Sequence, residues 1–309
     1  MIGGISFMRD IVRRYLSEIR ELGNVSMDKD GNFINGYDSK IFDILIDYSE
    51  KIFNDVKAHT VYKSSQYEDL FINLDILYYL LDEEGYEFAN NFIRNITDNK
   101  WRTEAKIRLF MIFVKRLSEI NYLLKGGYAS AALSITRGIY EIGVYLEIIV
   151  SKDEIIAEKF LKHSNIDRLK IAKSLSNNEL QSKIIEQIND LQFGDQFLDN
   201  YGWAKSFIGN KITFKKLAQT TELSKLYYMY TYCCSSVHAN IHDSLHGVGI
   251  SKEDKGKSVW STASSEEGIQ TVFNILMPFS NSVVQNYFDK GNLNTTFVQV
   301  FFKNILDKK

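Results

Sequence analysis

A chain of 309 residues, 45% of them hydrophobic and 13% aromatic, carries enough apolar material for one large buried core, which excludes disorder as its main state. Its formal net charge of −2 argues against coating nucleic acid through a general basic field, a mode that needs many neutralised phosphates, but leaves room for a local basic patch. One proline, Pro278, and two adjacent cysteines, Cys233 and Cys234, point to long uninterrupted helices and to a reducing compartment without a disulfide framework.

The first residues acquire charge too early for a signal peptide and read as the start of an amphipathic helix over residues 5–22. The polar stretch after it contains DKDGN, but the sixth and twelfth places counted from Asp28 hold Phe33 and Ser39, where a calcium loop needs Gly and Glu. An Asp-Gly turn is the simpler reading. Apolar residues three and four apart then predict helices over 39–58, 67–82, 86–97 and 102–124. The doublet Gly126-Gly127 stops the last of these. A helix over 129–150 follows, then helices near 153–174 and 178–191, an aromatic loop around 193–214, and a helical run over 222–246. The Gly, Ser and Lys-rich stretch after residue 246 predicts an exposed loop or small hairpin, and helices over 265–288 and 295–306 close the chain.

The expected fold is all-α: a helical bundle core with additional N- and C-terminal helices. The expected organisation is an N-terminal helical region over 1–98, a core bundle carrying the candidate site over 99–250, and a loop with C-terminal helices over 251–309. No stretch reads as a membrane span, because the most apolar one is interrupted by Arg137, Glu141 and Glu147. We expect a cytoplasmic protein with no membrane association and no cofactor.

The helix over 129–150 is apolar nearly all the way round, the pattern of a central helix surrounded by others. Arg137 and Glu141 are its exceptions; four residues apart, they differ by about 40° around the axis and share a face. Burying either charge alone would cost several kcal/mol, so the two should pair, either to fix bundle register or as part of a site. Small residues at Gly126, Gly127, Ala129, Ala131 and Ala132 would let another helix approach closely. Downstream, His238, His242 and His246 recur every fourth position. On a helical wheel His238 borders the core side formed by Tyr230, Cys234 and Ile241, while His246 drifts towards solvent. A two-histidine metal site with Glu141 is one reading, though Arg137 beside that carboxylate opposes a dication. A half-buried structural His238 is another. In the aromatic loop, Lys205, Lys211, Lys215 and Lys216 alternate with Tyr201, Trp203, Phe207 and Phe214, an arrangement that suits single-stranded nucleic acid or simply solvated lysines on an anchored loop.

The segments LSITRGIYE with Arg137 and Glu141, YGWAKSF with Tyr201, Trp203 and Lys205, and SSVHANIH with Ser235, Ser236 and His238 resemble a bacterial helical family catalogued as domain of unknown function 5677. The resemblance covers roughly residues 100 to 250. Such proteins are similar in general plan to the HEPN superfamily of helical nucleotide-binding domains, many of which are metal-independent ribonucleases in toxin and antiviral systems. That superfamily's usual signature places an arginine four to six residues before a histidine; no arginine here does so, and a composite site would draw them from different helices. The resemblance implies an endoribonuclease, a toxin or phage-defence effector, with Arg137, Glu141 and His238 as catalytic residues and Tyr201, Trp203, Lys205, Ser235 and His242 contacting substrate. RNA, a second copy in a homodimer and a neutralising protein would be its partners. The alternative is a non-catalytic nucleotide- or ligand-binding module.

Overall fold

The computed structural model describes residues 2–21, 38–59, 67–94, 99–209, 211–237, 249–252, 258–261, 266–288 and 293–307. The fold is all-α. Its first three helices are α1 (Ile2–Glu21), α2 (Asp38–His59) and α3 (Glu68–Arg94), followed by α4 (Lys100–Lys125) and α5 (Ala129–Ser151). Shorter helices come next: α6 (Glu154–Lys162), α7 (Ser164–Ser174), α8 (Asn178–Asn189), α9 (Lys205–Ile208), α10 (Phe214–Ala218) and α11 (Tyr227–Ser235). After an antiparallel hairpin of β1 (Gly249–Lys252) and β2 (Ser258–Ser261), the chain ends with α12 (Ile269–Tyr287) and α13 (Leu293–Asp307).

The apolar helix α5 is central: α4, α12 and α11 all pack against it. It buries Leu133, Ile139, Tyr140, Val144 and Leu146. α3 joins this layer to α1, α2 and α13, so that one buried cluster runs from Ile11 to Ile305. Burial of this kind, roughly 25 cal/mol per Å² of apolar surface, is what holds long helices together where propensity alone would not. Among the described residues no helix is long and apolar enough to cross a membrane.

Local departures from the expected helices have tertiary causes. The expected break between 82 and 86 is absent, and α3 runs straight through Gly85. A Cβ there would overlap the Phe110 ring, and the Tyr287 hydroxyl donates to the Gly85 carbonyl at 3.2 Å, so the glycine serves close approach rather than a turn. Conversely, the single helix expected over 153–174 is split at His163, where Ile166 N–H bonds the His163 carbonyl in a tightened turn. Gly126 and Gly127 do form the α4–α5 turn, with Gly127 at a φ of 76°. Ala131, however, faces solvent. The close approaches to α5 occur at Gly138 and Gly143, whose Cβ positions would collide with Arg116 and Leu223.

Candidate functional site

Arg137 and Glu141 share one face of α5, and Arg137 Nε donates to Glu141 Oε1 at 3.1 Å. Their side chains are 31% and 26% exposed, so the pair is shielded but open to water. A third group joins them: the Tyr230 hydroxyl from α11 donates to the same Oε1 at 3.2 Å, and the Arg137 guanidinium lies 5.6 Å from the Tyr230 ring centre. Burial and the Glu141 carboxylate push the Tyr230 phenol well above its ordinary value, which keeps it a donor.

The segment before α11 is pinned to α5. A 3-10 turn over Glu222–Leu226 presents Glu222 N–H to Glu147 Oε1 at 2.6 Å, and Tyr140 donates its hydroxyl to the Leu223 carbonyl at 2.9 Å. Desolvation in that contact raises the Glu147 pKa. At the other end of α11, Ser134 Oγ donates to the Ser236 carbonyl at 2.7 Å. Ser134 lies one turn before Arg137 and Gly138 on α5.

The aromatic loop docks next to this cluster. Tyr201, in a left-handed conformation with φ of 57°, shares a hydrogen bond with Tyr145, which follows Glu141 by one turn of α5. Burial raises both phenols. Trp203 is only 3% exposed and packs edge-on against Phe160 and Tyr145, with ring centres 5.1 and 6.0 Å away, so it is chiefly a wall of the core. Lys205 is not a solvated, unpaired cation, because Asp199 Oδ2 lies 3.7 Å from its Nζ. Ser235 Oγ turns back to the Tyr232 carbonyl of its own helix at 2.7 Å. His238, His242 and His246 lie outside the described residues. Among the described residues, no group of three or more His, Cys, Asp or Glu side chains is arranged to hold a metal ion.

A groove of about 600 Å³ opens beside the cluster, within the size range of small-molecule and nucleotide sites. Tyr145, Phe160, Tyr201 and Trp203 are its aromatic lining, and Arg108 and Ile112 of α4 line it too. Its rim carries His163, Asp167, Lys170 and Asn200. Lys170 Nζ bridges Asp167 Oδ1 at 3.1 Å and Asn200 Oδ1 at 3.0 Å, while His163 Nε2 meets the Asp199 carbonyl at 3.0 Å. Burial lowers the His163 pKa, favouring the neutral ring, which as a neutral donor to that carbonyl carries its proton on Nε2.

Of the expected site residues, the structure brings Arg137 and Glu141 into contact and sets Tyr201 and Trp203 one turn further along α5, around Tyr145. It adds Tyr230, which from sequence reads as a plain core residue, and the groove rim, whose members come from segments too far apart for any local pattern to join.

No curated protein and no solved structure is detectably similar to the chain. The family of unknown function DUF5677 matches residues 103–257, a span that begins in α4, runs through α11 and the first strand of the hairpin, and contains every side chain of the cluster and the groove. With half of its length matched, the chain belongs to the family of unknown function DUF5677.

Proposed function

We propose that the protein is a metal-independent endoribonuclease in which RNA lies along the aromatic groove and is cleaved beside Arg137 and Glu141. The observation that carries this reading is the partly exposed Arg137–Glu141 pair, adjoined through Tyr145 and Tyr201 by a groove with aromatic and basic lining. His238 would complete the set: it follows Ser236, whose carbonyl accepts from Ser134 Oγ, by two positions, about 7 Å of chain at full extension.

In such a site a base, Glu141 or His238, removes the 2′-hydroxyl proton as that oxygen attacks the adjacent phosphorus. The guanidinium of Arg137 stabilises the pentacoordinate phosphorane, and the other acid/base group protonates the departing 5′-oxygen. The products are a 2′,3′-cyclic phosphate and a 5′-hydroxyl, with no net redox change. A cytoplasmic toxin or phage-defence role, held in check by a neutralising protein, belongs to the same reading. So does a homodimer, for which the exposed Met111 and Tyr122 on α4 offer apolar surface.

Cleavage of single-stranded RNA by purified protein in EDTA tests the reading. The wild type should cut, and Arg137→Ala and His238→Ala should each lose about a hundredfold or more, the usual contribution of a positioned acid or base. Intact RNA at high wild-type concentration would overturn it. A second reading, a non-catalytic ligand-binding module, draws on the convergence of Arg137 and Tyr230 on one Glu141 oxygen, which also ties α11 to α5. On that reading Arg137→Ala lowers the melting temperature or ligand affinity and there is no turnover to lose.

A further inference from the structure

Arg116 on α4 is a half-buried arginine whose guanidinium lies across α5, in the space a Cβ of residue 138 would fill. Gly138 is therefore the reason a second guanidinium can rest on the backbone immediately after Arg137. No hydrogen bond or ion pair joins Arg116 to any described residue, whereas Arg108, two turns earlier on the same helix, pairs with Glu104. No guanidinium nitrogen of Arg116 is sealed from water, so the group is open to an anion arriving from solvent, and a charge-assisted hydrogen bond from a guanidinium to such an anion is of the strong kind.

The charge balance indicates which anion. Arg116 and Arg137 contribute two positive charges on this part of α5 and Glu141, three residues beyond Gly138, contributes one negative, leaving one positive charge over. A phosphodiester carries one negative charge and presents two oxygens to the planar fork of a guanidinium, a geometry that lysine does not reproduce. Arg116 also continues the α4 ridge of Arg108 and Ile112, which lines the groove, at successive turns of about 5.4 Å.

We propose that Arg116, admitted to α5 by Gly138, forms with Arg137 a binding site for a single phosphodiester group of RNA. The site is a phosphate clamp that orients the strand, and Arg116 is a binding residue rather than an acid or base. Naming RNA as the source of the phosphodiester rests on the function proposed above; the anion site itself rests on Arg116 and Gly138.

The test uses the full chain and a fluorescent 2′-O-methyl oligoribonucleotide, which binds but lacks the hydroxyl needed for cleavage. Anisotropy titrations across a salt series should show Arg116→Gln weakening binding about tenfold and flattening the dependence of log affinity on log salt by about 0.7, the contribution of one phosphate contact on a single strand. Gly138→Ala removes no charge, yet should weaken binding as much, because the added methyl displaces the guanidinium; Arg116→Lys should recover only part of the loss. Wild-type affinity in both Arg116→Gln and Gly138→Ala, or no binding by the wild type, would overturn the proposal. The two readings separate cleanly. Oligonucleotide binding that depends on Arg116 without cleavage of ordinary RNA removes the nuclease and keeps the clamp. Cleavage with KM unchanged in both variants removes the clamp and keeps the nuclease.

Discussion

The Tyr230 hydroxyl meets Glu141 Oε1 at 3.2 Å, on the oxygen already engaged by Arg137. Tyr230→Phe keeps the ring against Tyr140 and Phe214 and deletes the hydroxyl that donates to Glu141 and also bonds Arg137. Chemical denaturation should show a loss of about 1.5–3 kcal/mol, the usual range for a hydrogen bond to a charged group. Stability equal to that of the wild type would mean that Tyr230 contributes through packing alone.

Glu154, at the start of α6, caps a helix other than its own. Its Oε1 accepts from Trp101 N–H at 2.5 Å and Arg102 N–H at 3.1 Å, supplying α4 with the cap that Asn99 does not provide. A carboxylate at a helix N-terminus also opposes the positive end of the dipole. Glu154→Ala should therefore destabilise by about 1–2 kcal/mol in thermal melts, with Glu154→Gln intermediate.

His163 gives the groove a pH dependence. Burial lowers its pKa below 6.5, so the folded state holds the ring neutral where the unfolded chain would already be protonated. The contribution is present above 6.5 and is lost as pH falls through the folded value. The melting temperature should fall as the buffer is acidified from pH 7, and His163→Gln should fall less steeply over the same window; parallel curves would remove His163 as the cause.

The interior between α3 and α4 holds a polar knot in which Asp75 accepts from Asn121 Nδ2 at 2.7 Å and Lys125 Nζ at 2.5 Å. Asp75 is 4% exposed. Asp75→Ala takes the acceptor from a buried amide and from an ammonium, and should cost about 3 kcal/mol or more, measured by urea unfolding.

Much of this architecture was legible in the apolar period. α5 announces itself by being apolar on every side, and α4, α12 and α13 by regular stripes. The errors came where a distant side chain decides local structure. Gly85 looks like a breaker until Phe110 is seen to occupy its missing side chain, and His163 looks helical until its ring is seen to reach Asp199. At the candidate site, Arg137 and Glu141 stood out because charge on an apolar helix must be compensated. Tyr230 and Arg116 did not, since a tyrosine on a core face and an arginine on an amphipathic helix look ordinary in one dimension. The groove joins α4, α7 and the aromatic loop, a juxtaposition no spacing rule reveals.

Against α5 packs α12, which buries Val272, Leu276, Phe279 and Val283 and begins twelve residues past the end of the family match at 257. The matched half thus borrows one of its walls from outside itself. A fragment ending at the match would leave an oily flank of the central helix bare and should precipitate or self-associate. Any relative lacking a counterpart to residues 269–287 must shelter that flank by some other segment.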